Sequence, residues 1–144
     1  MWRKIIEFVG NFLRQIKWFF QRIFRGYSDY DLIDYDQFVC KKILKSLKGW
    51  VKHERYGFPD EVGSMEEWNK ILDDIVFAVE ETATGKHEDE LYKKWTKDGV
   101  DEAERYFGIG YVSDAERYKQ INEIWDRTEK GMELFGKYLG AMWD

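Results

Sequence analysis

The chain has 144 residues, 44% of them hydrophobic and 35% charged, with a net charge of −5. That size and balance describe a globular chain of one domain and exclude a disordered or low-complexity one. The single cysteine, Cys40, excludes an internal disulfide framework, and no apolar run reaches the roughly 18–20 residues that cross a bilayer.

The first 25 residues hold Arg3, Lys4, Arg14, Lys17, Arg22 and Arg25 against one acid, Glu7, so this segment is +5 and the rest of the chain is −10. Within it Trp2, Ile5, Ile6, Val9, Phe12, Leu13, Ile16, Phe19, Phe20 and Ile23 recur at three- and four-residue steps, which predicts a helix over 1–25. Phe8, Trp18 and Phe24 widen the apolar stripe, and Gly26 supplies a C-terminal stop. The basic start is broken by charge and lacks a small-residue cleavage site, so it is not read as a secretory signal.

An acidic turn follows, with Ser28, Asp29, Asp31, Asp34 and Asp36 as expected caps. A second helix is predicted over 36–53, with Val39, Ile43, Leu47, Trp50 and Val51 on one side and Lys41, Lys45, Lys48 and Lys52 on the other. Ser64 and Glu67 form a capping box that opens a third helix over 64–84, closed by Gly85. A fourth is predicted over 88–96 and a long last one over 113–143. Gly131, Gly136 and Gly140 lie on that last helix, where close packing against a neighbour would offset their poor helix propensity. The expected fold is all-α: a compact four- to five-helix bundle, single-domain and oligomeric. The N-terminal helix is expected to be structural, with its surplus aromatic surface reaching a partner.

Three blocks, IKWFFQRIFRGYSDYDLIDYD (Ile16–Asp36), SMEEWNKILDDIVFAVE (Ser64–Glu80) and GMELFGKYLGAMWD (Gly131–Asp144), resemble a group of small all-helical proteins encoded by bacteriophages and prophages. The likeness leaves out the stretch between Gly85 and Ser113. That family has no established activity, so it assigns no role to any residue. It implies a viral accessory protein in the host cytoplasm, of the kind that binds and disables a host component.

No catalytic constellation is legible. His53-Glu54 and His87-Glu88 each begin a zinc-protease motif, but Gly57 and Leu91 stand at the second histidine positions. A calcium loop starting at Asp29 would place Asp34 where glycine is needed and Cys40 where glutamate is needed. No phosphate-binding glycine loop occurs. Cys40 reads as a small core residue, and adjacent acids such as Asp73/Asp74 and Glu80/Glu81 read as solvated faces. Neither a metal nor a cofactor is therefore expected, nor an enzymatic activity.

The remaining signal is cationic. Steps of four, three and four keep Lys41, Lys45, Lys48 and Lys52 in a narrow arc, and Arg22 and Arg25 end the first helix. With Trp18, Tyr27 and Tyr30 to stack a base, these residues form the candidate ligand site for a small anionic nucleotide. The acidic remainder of the chain argues against extended nucleic acid. The first expectation is thus a phage protein that sequesters a nucleotide-derived host immune signal. The alternatives are a protein that binds a host protein or self-assembles through the aromatic helix and, less favoured, a peripheral membrane-surface binder.

Overall fold

The computed structural model describes residues 2–53, 57–97 and 114–143. Five α-helices run through them: α1 (Trp2–Arg25), α2 (Tyr35–Lys52), α3 (Met65–Thr84), α4 (Lys86–Lys97) and α5 (Asp114–Tyr138). A 3₁₀ turn at Gly140–Trp143 follows, and no strand occurs among the described residues. The all-α expectation holds. The last helix stops at Tyr138 rather than 143, whereas its expected start at Ser113 lies outside the described residues. The chain falls into two compact units, Met1–Val39 and Cys40–Asp144.

In the larger unit, α3 is the central element. Trp68, Leu72, Ile75, Ala78 and Val79 are each at most 1% exposed, as three- and four-residue spacing on one helix face requires. Cys40 and Leu47 of α2, Val62, and Tyr138 of α5 complete that core, and Trp68 meets the Tyr138 ring edge-on at 5.2 Å. The Ser64 side chain accepts from the Glu67 N–H at 3.1 Å, while Glu67 accepts from the Gly63 N–H at 3.0 Å. Two orphan donors at the start of α3 are thereby satisfied. At the other end Gly85 adopts φ 63°, a left-handed value natural to glycine, and its N–H returns to the Glu81 carbonyl.

Of the α3 acids read as solvated faces, Asp73 is exposed, whereas Asp74, Glu80 and Glu81 are drawn into contacts. Glu81 is buried and accepts from the His87 N–H at 2.7 Å and the Glu88 N–H at 3.3 Å. Its carboxylate serves as the cap of α4 from the preceding helix, and α4 begins at Lys86, ahead of the expected 88. Asp74 accepts from Arg127 of α5 at 2.8 Å and lies 3.4 Å from Lys130. Arg127 also covers the Phe77 ring at 4.1 Å, whose other neighbour is the His87 imidazole at 4.0 Å. Trp95 of α4 donates to Gln120 of α5 at 3.1 Å. Helices α3, α4 and α5 are thus joined by polar contacts around the apolar centre.

The smaller unit is built differently. Helix α1 ends at Gly26 (φ 80°), whose N–H bonds to the Arg22 carbonyl. The chain then reverses through residues 27–34, so that Asp29 and Asp31 come back alongside the last two turns of α1. The described apolar side chains of α1, from Phe8 onward, find no comparable cover.

Candidate functional site

Helix α1 divides cleanly by side. At 3.6 residues per turn, Phe8, Val9, Phe12, Leu13, Ile16, Phe19, Phe20, Ile23 and Phe24 all fall within an arc of about 160°. Trp2, Ile5 and Ile6 belong to the same stripe by sequence; their side chains lie outside the described ones. Every one of the nine is exposed, from 38% at Ile16 to 81% at Phe24. Taking roughly 150–250 Å² for a whole aromatic side chain, the face is on the order of 1,000 Å². The largest apolar patch on an ordinary monomer is about 300–600 Å². A shallow, open groove lined by Gln15, Ile16, Phe19, Phe20 and Arg22 runs along one border. The expected surplus of aromatic surface on α1 extends to this whole described face; what is covered in α1 lies on its polar side, at Gln21 and Trp18.

That cover is a clasp of ion pairs. Arg22 donates through Nε to Asp31 Oδ2 at 3.0 Å and through Nη2 to Oδ1 at 2.7 Å. Lys17 and the buried Gln21 donate to Asp29 Oδ2 at 2.8 and 2.7 Å, and Arg25 reaches Asp29 Oδ1 at 3.4 Å. Gln21 accepts in turn from the Asp29 N–H at 2.9 Å. Asp31 also takes the Ser28 N–H at 2.7 Å and its hydroxyl at 2.8 Å, with Ser28 fully buried. These two aspartates were expected as helix caps; they hold the loop to α1 instead.

The pairing moves their protonation. The Lys17 ammonium and then the Gln21 amide hold Asp29 down to about 2, and the Arg22 fork holds Asp31 well below the usual carboxylate range. Arg22 is raised in turn by its bond to Asp31.

Of the expected ligand residues, the structure gathers Trp18, Arg22, Arg25 and Tyr30 at this clasp. Trp18 does not widen the apolar stripe. It lies on the polar side, half-buried, with its ring 4.9 Å from that of Tyr30. Tyr27 is 37% exposed. Lys41, Lys45, Lys48 and Lys52 belong to the other unit. Lys41, Lys45 and Lys52 are exposed on α2, whereas Lys48 donates to Glu80 of α3 at 2.5 Å. Lys48, with Lys86 3.5 Å away, holds the Glu80 carboxyl below its ordinary value.

Among the described residues no three His, Cys, Asp or Glu side chains are placed to hold a metal ion. No helix among them is long and apolar enough to cross a membrane. Sequence reasoning named the last turn of α1 and its aromatic surface, read Asp29 and Asp31 as caps, and missed Gln21 and the extent of the bare face. The available signal was the uninterrupted apolar arc opposite an almost entirely basic and amide side. No family model, curated protein or solved structure matches the chain.

Proposed function

We propose that this protein is a peripheral membrane-surface binder that docks through the apolar face of α1. The observation that carries this reading is the combination of nine exposed apolar side chains with a polar side whose C-terminal part, Lys17 to Arg25, is already folded against the protein's own loop. A helix with a wide aromatic face and cations opposite is built to lie in the plane of an interface. If half of the face is immersed, the gross gain is about 12 kcal/mol at roughly 25 cal/mol per Å². A bilayer accepts the whole arc of about 160° at once, whereas a two-stranded helix pair covers a narrower seam.

The width of the arc favours lipid over a second copy. Lys4, Lys17 and Arg22 border the arc, and Glu7, the one acid of α1, sits in the middle of the polar side. Two α1 helices packed face to face would cover the middle of the arc and leave its flanks in water. At a bilayer the stems of these bordering side chains lie along apolar surface while their heads, Lys17 and Arg22 still paired with Asp29 and Asp31, stay wet.

Capture of a small anionic nucleotide draws less support. Arg22 and Arg25 already meet Asp31 and Asp29, and Lys48 meets Glu80. On the phage resemblance, the bilayer in question is that of the infected host.

Flotation with phospholipid vesicles tests the reading. The native chain rises with the vesicles, and a Phe12→Asp/Phe19→Asp variant stays in the lower fractions while retaining its helical circular dichroism. A native chain that stays down, or a variant that rises equally well, refutes it.

A further inference from the structure

Resting on that reading, the charge layout says which property of a bilayer the helix detects. Alone, α1 looks strongly cationic. The residues that follow change this: Asp29, Asp31, Asp34 and Asp36 bring Met1–Val39 to six cations against five carboxylates, a net +1. Cys40–Asp144 has 17 cations against 23 carboxylates, a net −6. The clasp also acts locally, since Lys17, Arg22 and Arg25 each face a loop carboxylate at 3.4 Å or less. Arg14, bonded to the neutral Asn11 side chain, keeps its full charge, but Glu7 lies on the same side.

An anionic surface therefore gains little from this chain by attraction. The apolar face is undiminished. Five of its nine side chains are phenylalanines, 51–81% exposed. Rings of that size enter a bilayer where headgroups are spread apart, so their insertion depends on curvature and acyl composition.

We infer that α1 senses loose lipid packing rather than headgroup charge, and that the Asp29/Asp31 clasp is what withholds its C-terminal cations from the lipid. Binding then needs no anionic lipid, survives salt and rises with curvature.

The test measures partition of the full chain onto pure phosphatidylcholine vesicles of about 30 nm and about 200 nm diameter, and onto vesicles with about 30 mol% phosphatidylglycerol. Each is repeated in about 1 M salt, where the Debye length is about 3 Å. The expected result is at least about tenfold tighter binding per lipid to the small neutral vesicles. Added phosphatidylglycerol and salt should each change binding by less than about fivefold, the weight of one interfacial cation. Asp29→Asn, which releases Lys17 and Arg25, should tighten binding to the anionic vesicles by about fivefold and leave the curvature preference unchanged.

Binding that appears only with phosphatidylglycerol and vanishes in salt overturns the inference and leaves the membrane reading standing. An Asp29→Asn variant indistinguishable from the native chain on anionic vesicles overturns the role of the clasp. Absence of binding to every vesicle, with the chain forming an oligomer in solution, removes the membrane reading itself.

Discussion

Arg22 and Asp31 face each other as a two-point fork, with both guanidinium-to-carboxylate distances at or below 3.0 Å, at the border of the apolar arc of α1. The fork fixes the loop after Gly26 and so decides which side of the helix stays bare. Asp31→Ala removes both of its bonds and the two from Ser28. Amide hydrogen exchange across residues 26–34 should accelerate by about tenfold or more, the effect of one lost charge-assisted hydrogen bond. Exchange in α3, which belongs to the other unit, should not change.

Acid should open the clasp late. Asp29 titrates near 2 in the folded chain, below the roughly 3.9 of a free aspartate. A depressed carboxyl contributes stability that is complete above the unfolded value and is lost as pH falls through the folded one. The contribution of Asp29 is therefore intact at neutral pH and disappears between about pH 4 and pH 2. Carbon-detected NMR of the Asp29 carboxyl should give a midpoint near 2, and Lys17→Gln should move it upward.

The crossing of α3 and α5 turns on Gly131. A Cβ there would press into the Asp74 carbonyl and lie 2.5 Å from the Ala78 Cβ, so neither backbone can give way cheaply. Gly131→Ala should destabilise the larger unit by about 2–3 kcal/mol, as overpacking does. Gly136, on the same helix, has nothing within 4 Å of such a Cβ. Gly136→Ala should instead stabilise by up to about 1 kcal/mol through helix propensity. Thermal denaturation of the two variants should bracket the native chain.

The nucleotide alternative gives its own measurement. Calorimetric titration with cyclic and ADP-ribose-type nucleotides should produce no binding heat. Heat that disappears on Lys45→Gln/Lys52→Gln would return the lysine side of α2 to the front.

These contrasts show what the sequence carried. The α3 boundaries were legible because Ser64, Glu67 and Gly85 act within one turn of their own position, and the Trp68–Val79 stripe becomes core wherever that helix packs. Gly131 was legible as one of three candidates for close packing, but which glycine meets a neighbour depends on the crossing point. The α1 stripe was equally clear as a pattern, yet periodicity states which side is apolar and not what covers it. Trp18 lies about 160° from the centre of that arc, so spacing alone puts it on the polar side, but its partner there, Tyr30, reaches it only after the reversal at Gly26. The roles of Asp29, Asp31 and Glu81 likewise depend on where a turn delivers them. Adjacent acids in a sequence look alike whether they end in water or in an ion pair.

The central claim, that the apolar face of α1 enters the lipid while its polar side stays in water, is tested most directly by nitroxide labels placed one at a time through Phe12→Cys, Phe19→Cys, Glu7→Cys and Arg14→Cys. Cys40 is buried and does not compete for the label. On adding small phosphatidylcholine vesicles, labels at 12 and 19 should gain accessibility to oxygen and lose it to a polar nickel complex. Labels at 7 and 14 should stay open to nickel. Four positions that respond alike, or none that responds, would contradict the account.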